Sequence, residues 1–365
     1  MAVTFVSSHA LGGGSERYLE LLLGELGPGW TRGVISLQDG PLVGRLRGSG
    51  HEVEVIPAGA RAGLAAAVPR LRRALLRQRP DVVHANGVKA ALAAVLATVR
   101  TGIPVVWVKH DFSWDGPLAR AIASRCALVV AVSGAITGVF EPRLAARVRV
   151  VPNGIPDYRR DPDGAGLVAS LVGDAGAPVT ALVGRLHQAK GQLELVEAAP
   201  AVLARRPDAR FLLLGGDDPS QAAYAEAVRE RIRGLGLEDA FTLAGHRDDP
   251  LRVVSGCDLV VLPSVADERG AGREACPFAL LEAMSLETPV VAYAAGGIPE
   301  VLGDCGRLVA ADDRDGLAAA IAAMLDSEAE RRSAAACARR RVRERHSLER
   351  MAGAMRRLYV ESAAR

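Results

Sequence analysis

Short, almost wholly apolar runs alternate with longer segments of helical period along the chain. The first set occupies residues 2–7, 33–37, 52–56, 81–84, 104–110, 127–133 and 147–152. Runs of that length, rich in valine and apolar on both faces, predict buried parallel strands, because helices must cover both faces of such a sheet. Helical segments lie between them, among them 17–26 and the basic stretch 69–80, PRLRRALLRQRP. Residues 159–177 are rich in Asp, Gly and Pro and predict a linker with a short helical piece in it. A second alternation opens at Val179, with strands at 211–216, 241–245, 259–262, 289–294 and 306–309. Its helices are expected from Gln192, over 278–286, from Asp315, and from about Glu328 to the end. The pattern predicts an α/β protein of two doubly wound domains: 1–155, a linker over 156–177, and 178–345, followed by a last helix over 346–365.

Candidate chemistry collects where these strands should end, the edge at which α/β sheets place ligands. After the first strand, Gly12, Gly13, Gly14, Ser15 and Glu16 form a glycine-rich turn into a helix, an arrangement that brings backbone amides close to a phosphate or sugar. His84 and His110 each close a predicted strand, and two histidines on one sheet edge are candidates for a site. After the strand from Val179 comes Gly184–Arg185–Leu186–His187–Gln188–Ala189–Lys190–Gly191. Two cations five residues apart can clamp a diphosphate, Arg185 as a fork of donors and Lys190 as a point charge. After the strand 259–262, Pro277 opens a helix flanked by two carboxylates, Glu274 before it and Glu282 within it. The amides of its first turn, at Phe278, Ala279 and Leu280, lack intrahelical partners and suit an anion. Acceptor-only carboxylates beside them suit hydroxyls. Phosphate beside polyol describes a sugar nucleotide.

Glu274–x7–Glu282–Ala283–Met284, then Thr288–Pro289–Val290–Val291 and Gly296–Gly297–Ile298–Pro299–Glu300, resembles the signature of family 4 retaining glycosyltransferases. The resemblance implies the GT-B architecture, two Rossmann-like domains facing a central cleft, with the last helix crossing back to the first domain. It implies transfer of a sugar from a nucleotide-diphosphate sugar, UDP-linked first and GDP-linked next, to an acceptor hydroxyl with retention. Gly13 and Gly14 resemble part of the family's GG-x-E loop, and Gly184, Arg185 and Lys190 its diphosphate clamp. By the same resemblance Glu274 holds sugar hydroxyls, Glu282 the ribose, and His110, followed by Asp111, the donor sugar, which leaves His84 a supporting or acceptor-side place. His246 and Arg247 lie on the segment that meets the base, and Pro152–Asn153–Gly154–Ile155 resembles the turn into the second domain. One departure stands out: the stretch between Ser264 and Glu274 is longer than usual, and Glu268 competes for the role of first carboxylate.

Composition narrows the field. The 365 residues are 49% hydrophobic and 24% charged, enough for sizeable cores and against disorder. Aromatics make up only 4%, which disfavours a nucleic-acid binder built on base stacking. Residues 1–155 hold 18 Lys and Arg against 10 Asp and Glu, a balance of +8, and the remainder holds 27 against 32, or −5, summing to +3. A basic first half fits an anionic partner, such as a phosphorylated or lipid-linked acceptor or an anionic membrane surface. On the stretch 69–80, Arg70, Arg73 and Arg77 share one helix face, the pattern of a helix lying on such a surface or of an ordinary solvated one. Five singly scattered cysteines predict a reducing compartment and no disulfide framework. The start MAVTFVSSHALGGG predicts a first strand, not a signal peptide, so the expected location is cytoplasmic, with peripheral membrane contact through the basic half. No Asp-x-Asp site is positioned here, so no metal and no cofactor is expected beyond the sugar nucleotide as co-substrate. The rivals are a nucleotide-sugar epimerase or a phosphorylase of the same fold, and a non-catalytic binding subunit. A dehydrogenase is disfavoured, because neither half carries GxGxxG.

Overall fold

A computed structural model describes residues 1–59, 61–140, 142–266 and 273–364. The chain divides into two compact units, Met1–Gly154 with His346–Arg365, and Ile155–Arg345.

The first unit holds seven strands: β1 (Val3–Ser7), β2 (Thr31–Ser36), β3 (Val53–Val55), β4 (Val82–Asn86), β5 (Val105–Lys109), β6 (Leu128–Ala131) and β7 (Val148–Val150). They pair in parallel in the order β3-β2-β1-β4-β5-β6-β7. β1, β4, β5 and β6 are buried along their whole length, as their unbroken apolar sequence requires. Helix Arg61–Gln78 runs through Pro69 and starts earlier than the sequence pattern marks. It buries Leu71, Ala74 and Leu75 in the core, so the apolar stripe behind Arg70 and Arg73 is already covered by protein. Helix Leu348–Ala363 belongs to this unit. Ser347 caps it by accepting from Arg350 N–H, while Gly154 N–H meets Met351 Sδ at 3.1 Å.

The second unit holds β8 (Val179–Val183), β9 (Arg210–Leu214), β10 (Phe241–Gly245), β11 (Leu259–Leu262), β12 (Val290–Tyr293) and β13 (Arg307–Val309), all parallel, in the order β10-β9-β8-β11-β12-β13. In both sheets the order reverses once, between β1 and β4 and between β8 and β11. Loops leaving the two strands at such a point part to opposite faces and open a crevice at the carboxyl edge.

Three expectations need correction. Residues 156–177 are not a separate linker: they are part of the second unit, and they hold helix Gly164–Val172 where the sequence pattern marks a short helical piece. Arg160 donates to Ser255 O at 2.6 Å, and a Cβ on Gly256 would fall 2.1 Å from Gly164 O, so these backbones touch. His84 does not end its strand; β4 continues to Asn86, and His84 is fully buried inside it. Cys305 and Cys337 form a disulfide with Cα atoms 5.1 Å apart, so the cysteine pattern no longer supports a reducing compartment. No described helix is long and apolar enough to cross a membrane.

Candidate active site

The switch point of the second sheet gathers most of the predicted donor residues. β8 ends at Val183, and the loop Gly184–Gly191 turns into helix Gln192–Leu203. Backbone ties hold that loop, among them Leu186 N–H donating to Gly216 O, Lys190 N–H to His187 O, and Val265 N–H to Ala189 O. Gly191 closes the turn at φ 72°, where a Cβ would stand 1.8 Å from Pro263 O. Only glycine allows the β8 and β11 loops to meet there. The result aims Lys190 at Glu274, with Nζ donating to Oε1 at 2.5 Å. Arg185, 58% exposed, pairs instead with the buried carboxylate of Asp218 at 2.8 Å. Asp218 is held below the usual carboxylate range by Ser220, with Arg185 adding to the effect. Burial lowers His187 from its ordinary value, and its Nδ1 accepts from Ala189 N–H at 3.0 Å.

Glu274 is fixed from the other side. Its carbonyl accepts from Gly297 N–H at 2.7 Å, and Gly296, at φ 58°, passes so close that a Cβ would lie 2.2 Å from the same oxygen. The GGIP motif thus clasps the carboxylate-bearing loop. Helix Phe278–Ser285 follows, with Pro277 as its N-cap residue and no side-chain cap, which leaves the amides of Phe278, Ala279 and Leu280 at the positive end of its dipole. Glu282 is half-buried one turn further in. Glu268, the competing carboxylate, lies outside the described residues. His246 projects into solvent after β10, 82% exposed, while Arg247 forms a forked pair with Asp249 at 2.7 and 2.9 Å. A Cβ on Gly216 would sit 3.3 Å from His246 Cβ, so this segment borders the loop after β9.

The first unit places Gly13, Gly14 and His110 at its own switch point. Gly13 is the N-cap residue of helix Gly14–Leu26, and no side chain caps it. Glu16, buried in the first turn, accepts from Gly12 N–H at 3.3 Å and from Ser15 Oγ at 2.6 Å. A carboxylate already at this helix start suits hydroxyls better than a phosphate. His110 follows β5 directly and is half-buried, and its Nε2 lies 2.6 Å from Asn86 Oδ1. Tyr18 meets its ring edge-on at 4.8 Å between centroids. Burial lowers the His110 pKa to about 4, against partial support from Asp111 and Glu16. His84 sits deeper, its Nδ1 2.6 Å from Tyr359 Oη, and burial lowers it to about 3. Lys109, fully buried, is neutralised by Asp115 at 2.7 Å. Sequence reasoning missed Asn86 and Asp218. Each is a polar residue at or just past the end of an apolar strand, beside a glycine or proline, and that is the signal that could have found them.

Arg185, Lys190, Glu274 and an uncapped helix start around one strand crossover combine donors for phosphate with acceptors for hydroxyls. Residues 12–159 match the model described as Glycosyltransferase Family 4, and residues 177–327 the model described as Glycosyl transferases group 1. The alpha-maltose-1-phosphate synthase of Mycobacterium tuberculosis is 31% identical over 66% of this chain and 67% of its own length. The chain belongs to glycosyltransferase family 4. Another relative of the family is the D-inositol 3-phosphate glycosyltransferase of Actinosynnema mirum, 30% identical over 72% of this chain and 68% of its own. Among solved structures, HepE of Anabaena in complex with UDP superposes with a TM-score of 0.87 at 24% identity, covering 99% of this chain and 100% of that one. Sucrose-phosphate synthase of Thermosynechococcus elongatus gives 0.81 at 20% identity, over 99% and 98%. At that identity the structures speak to the fold, which is GT-B: two Rossmann-like α/β units.

Proposed function

We propose that this glycosyltransferase is a retaining hexosyltransferase that takes its sugar from a nucleotide diphosphate, UDP-linked in first place and GDP-linked next, without a divalent metal. The observation that carries the reading is the Lys190–Glu274 pair beside the start of helix Phe278–Ser285. An ammonium has three donors; with one directed to Glu274, the others are available for phosphate oxygens. In the transfer, the bond from the anomeric carbon to the departing phosphate breaks as the acceptor oxygen bonds to that carbon on the same face. The acceptor proton passes to a phosphate oxygen of the leaving group. Charge builds on the diphosphate, where Arg185, Lys190 and the first-turn amides stabilise it without reorganising. Glu274 accepts from sugar hydroxyls and Glu282 from the ribose. His110, Gly13 and Gly14 serve the hydroxyl-rich part of the substrates. The acceptor is assigned as a polar, phosphorylated or lipid-linked alcohol, supported by the +8 balance of residues 1–155 (18 cations, 10 anions). The name of the Actinosynnema relative likewise carries a phosphorylated polyol.

The test is slow transfer to water. With UDP-glucose, UDP-N-acetylglucosamine and GDP-mannose in EDTA, the expected products from one of them are nucleoside diphosphate and free sugar, released first as the α-anomer by proton NMR. Intact nucleotide carrying an altered sugar would point to an epimerase, and release of the β-anomer would overturn retention.

A further inference from the structure

Asn86 is the last residue of β4 and is buried between the glycine-rich turn and His110. Its Nδ2 lies 2.9 Å from Ser15 O, which can only accept, so the amide is oriented with Nδ2 donating there. Its Oδ1 therefore faces His110 Nε2 at 2.6 Å, and an amide oxygen can only accept. The hydrogen in that contact belongs to His110. We propose that Asn86 is a positioning residue which holds His110 as the neutral tautomer protonated at Nε2, so that Nδ1 carries a lone pair and accepts a hydrogen bond from a substrate hydroxyl. The placement of a hydroxyl there rests on the transferase reading above; the tautomer itself does not.

The surroundings keep the ring in that form. Helix Gly14–Leu26 contributes Glu16 and the edge-on ring of Tyr18, β4 contributes His84, and the segment of His110 itself contributes Lys109 and Asp111. Burial and Lys109 disfavour the imidazolium, which Asp111 and Glu16 favour, and burial prevails. Among the described residues no protein group hydrogen-bonds Nδ1. Nδ1 in this form cannot donate, so the site accepts a hydroxyl and rejects a group that only accepts, such as fluorine at the same carbon.

The test is nitrogen-15 correlation spectroscopy of the histidine-labelled full chain at pH 7, with His110 assigned by its loss in His110→Gln. The expected spectrum shows a protonated Nε2 and a bare Nδ1 for His110. In Asn86→Leu the pattern moves towards a mixture of tautomers. In Asn86→Asp the carboxylate raises the imidazole pKa, and kcat/KM for nucleotide-sugar hydrolysis gains an acid limb at higher pH than in the wild type. A merely structural role would lower the rate equally at every pH. A wild-type ring protonated at Nδ1 overturns the proposal, even if neither variant folds, and so does an unchanged tautomer in a folded Asn86→Leu. The expected tautomer without turnover of any nucleotide sugar would sink the transferase reading alone.

Discussion

Lys190 and Glu274 show how single residues divide the work at the proposed donor site. Neither is deeply buried, and their contact is polar, so the fold depends on them little. In the proposed transfer the transition state depends on them more, because charge developing on a diphosphate would meet donors already in place. Lys190→Ala is expected to cost about 2.7–4 kcal/mol of barrier, roughly a hundred- to a thousandfold in kcat, while circular dichroism stays native. Arg185→Ala should act in the same direction, with the partner Asp218 left to its Ser220 contacts. The two first-unit histidines give a different signature. His84 and His110 titrate near 3 and 4 in the folded chain and near 6.5 when unfolded. Their folded values are depressed, so below pH 6.5 the unfolded state binds protons that the folded state does not. Stability therefore falls as pH drops from 6.5 towards 4. Urea midpoints at pH 7.5 and pH 5 check the sign, and His84→Phe should flatten the dependence. A midpoint that rises on acidification would contradict the neutral-histidine assignment.

At the scale of elements, two close approaches hold the donor loops. Gly296→Ala would force a side chain into left-handed backbone against Glu274 O, at a cost of about 1–3 kcal/mol. Its thermal midpoint and its nucleotide affinity are expected to fall together; loss of stability with full affinity would detach the GGIP clasp from Glu274. The Cys305–Cys337 bridge closes a span of 32 residues and ties helix Glu328–Arg345 to the segment after helix Ile298–Leu302, where Arg341 also bonds Glu300 O and Val301 O. In the chain-entropy picture a loop of that size contributes about 3–4 kcal/mol. Cys337→Ala should therefore lower the denaturation midpoint markedly, and an unchanged midpoint would show that helix packing alone holds this corner. These elements also show what the sequence makes visible. Buried parallel strands announce themselves because no polar residue interrupts them, and the loops after β8 and β11 carry glycines, cations and carboxylates at spacings that stand out against the apolar runs before them. Asn86 was hidden because a polar residue at a strand end looks like the start of a loop. The bridge was hidden because tertiary proximity alone brings Cys305 to Cys337. The packing of residues 156–177 was hidden because Gly164 looks like a flexible residue, while its role is to let Gly256 come close.

For the whole molecule, the two units share one architecture and differ in what their switch points offer. The second presents cations and an uncapped helix start beside acceptors; the first presents a histidine held against an amide and a glycine-rich turn beside a buried carboxylate. Nucleotide binding should therefore slow hydrogen exchange first in residues 184–191 and 275–281 of the second unit, and protection confined to the first unit would reverse the assignment. If Lys190 belongs to a nucleoside-diphosphate site, calorimetric titration of UDP, GDP, ADP and dTDP in EDTA will show it. One nucleotide is expected to bind the wild type, and Lys190→Ala to weaken it by roughly ten- to a hundredfold, as loss of a charged hydrogen bond of about 1.5–3 kcal/mol implies. Equal affinity in the two proteins, or no binding of any nucleotide to the wild type, would contradict a donor site at Lys190.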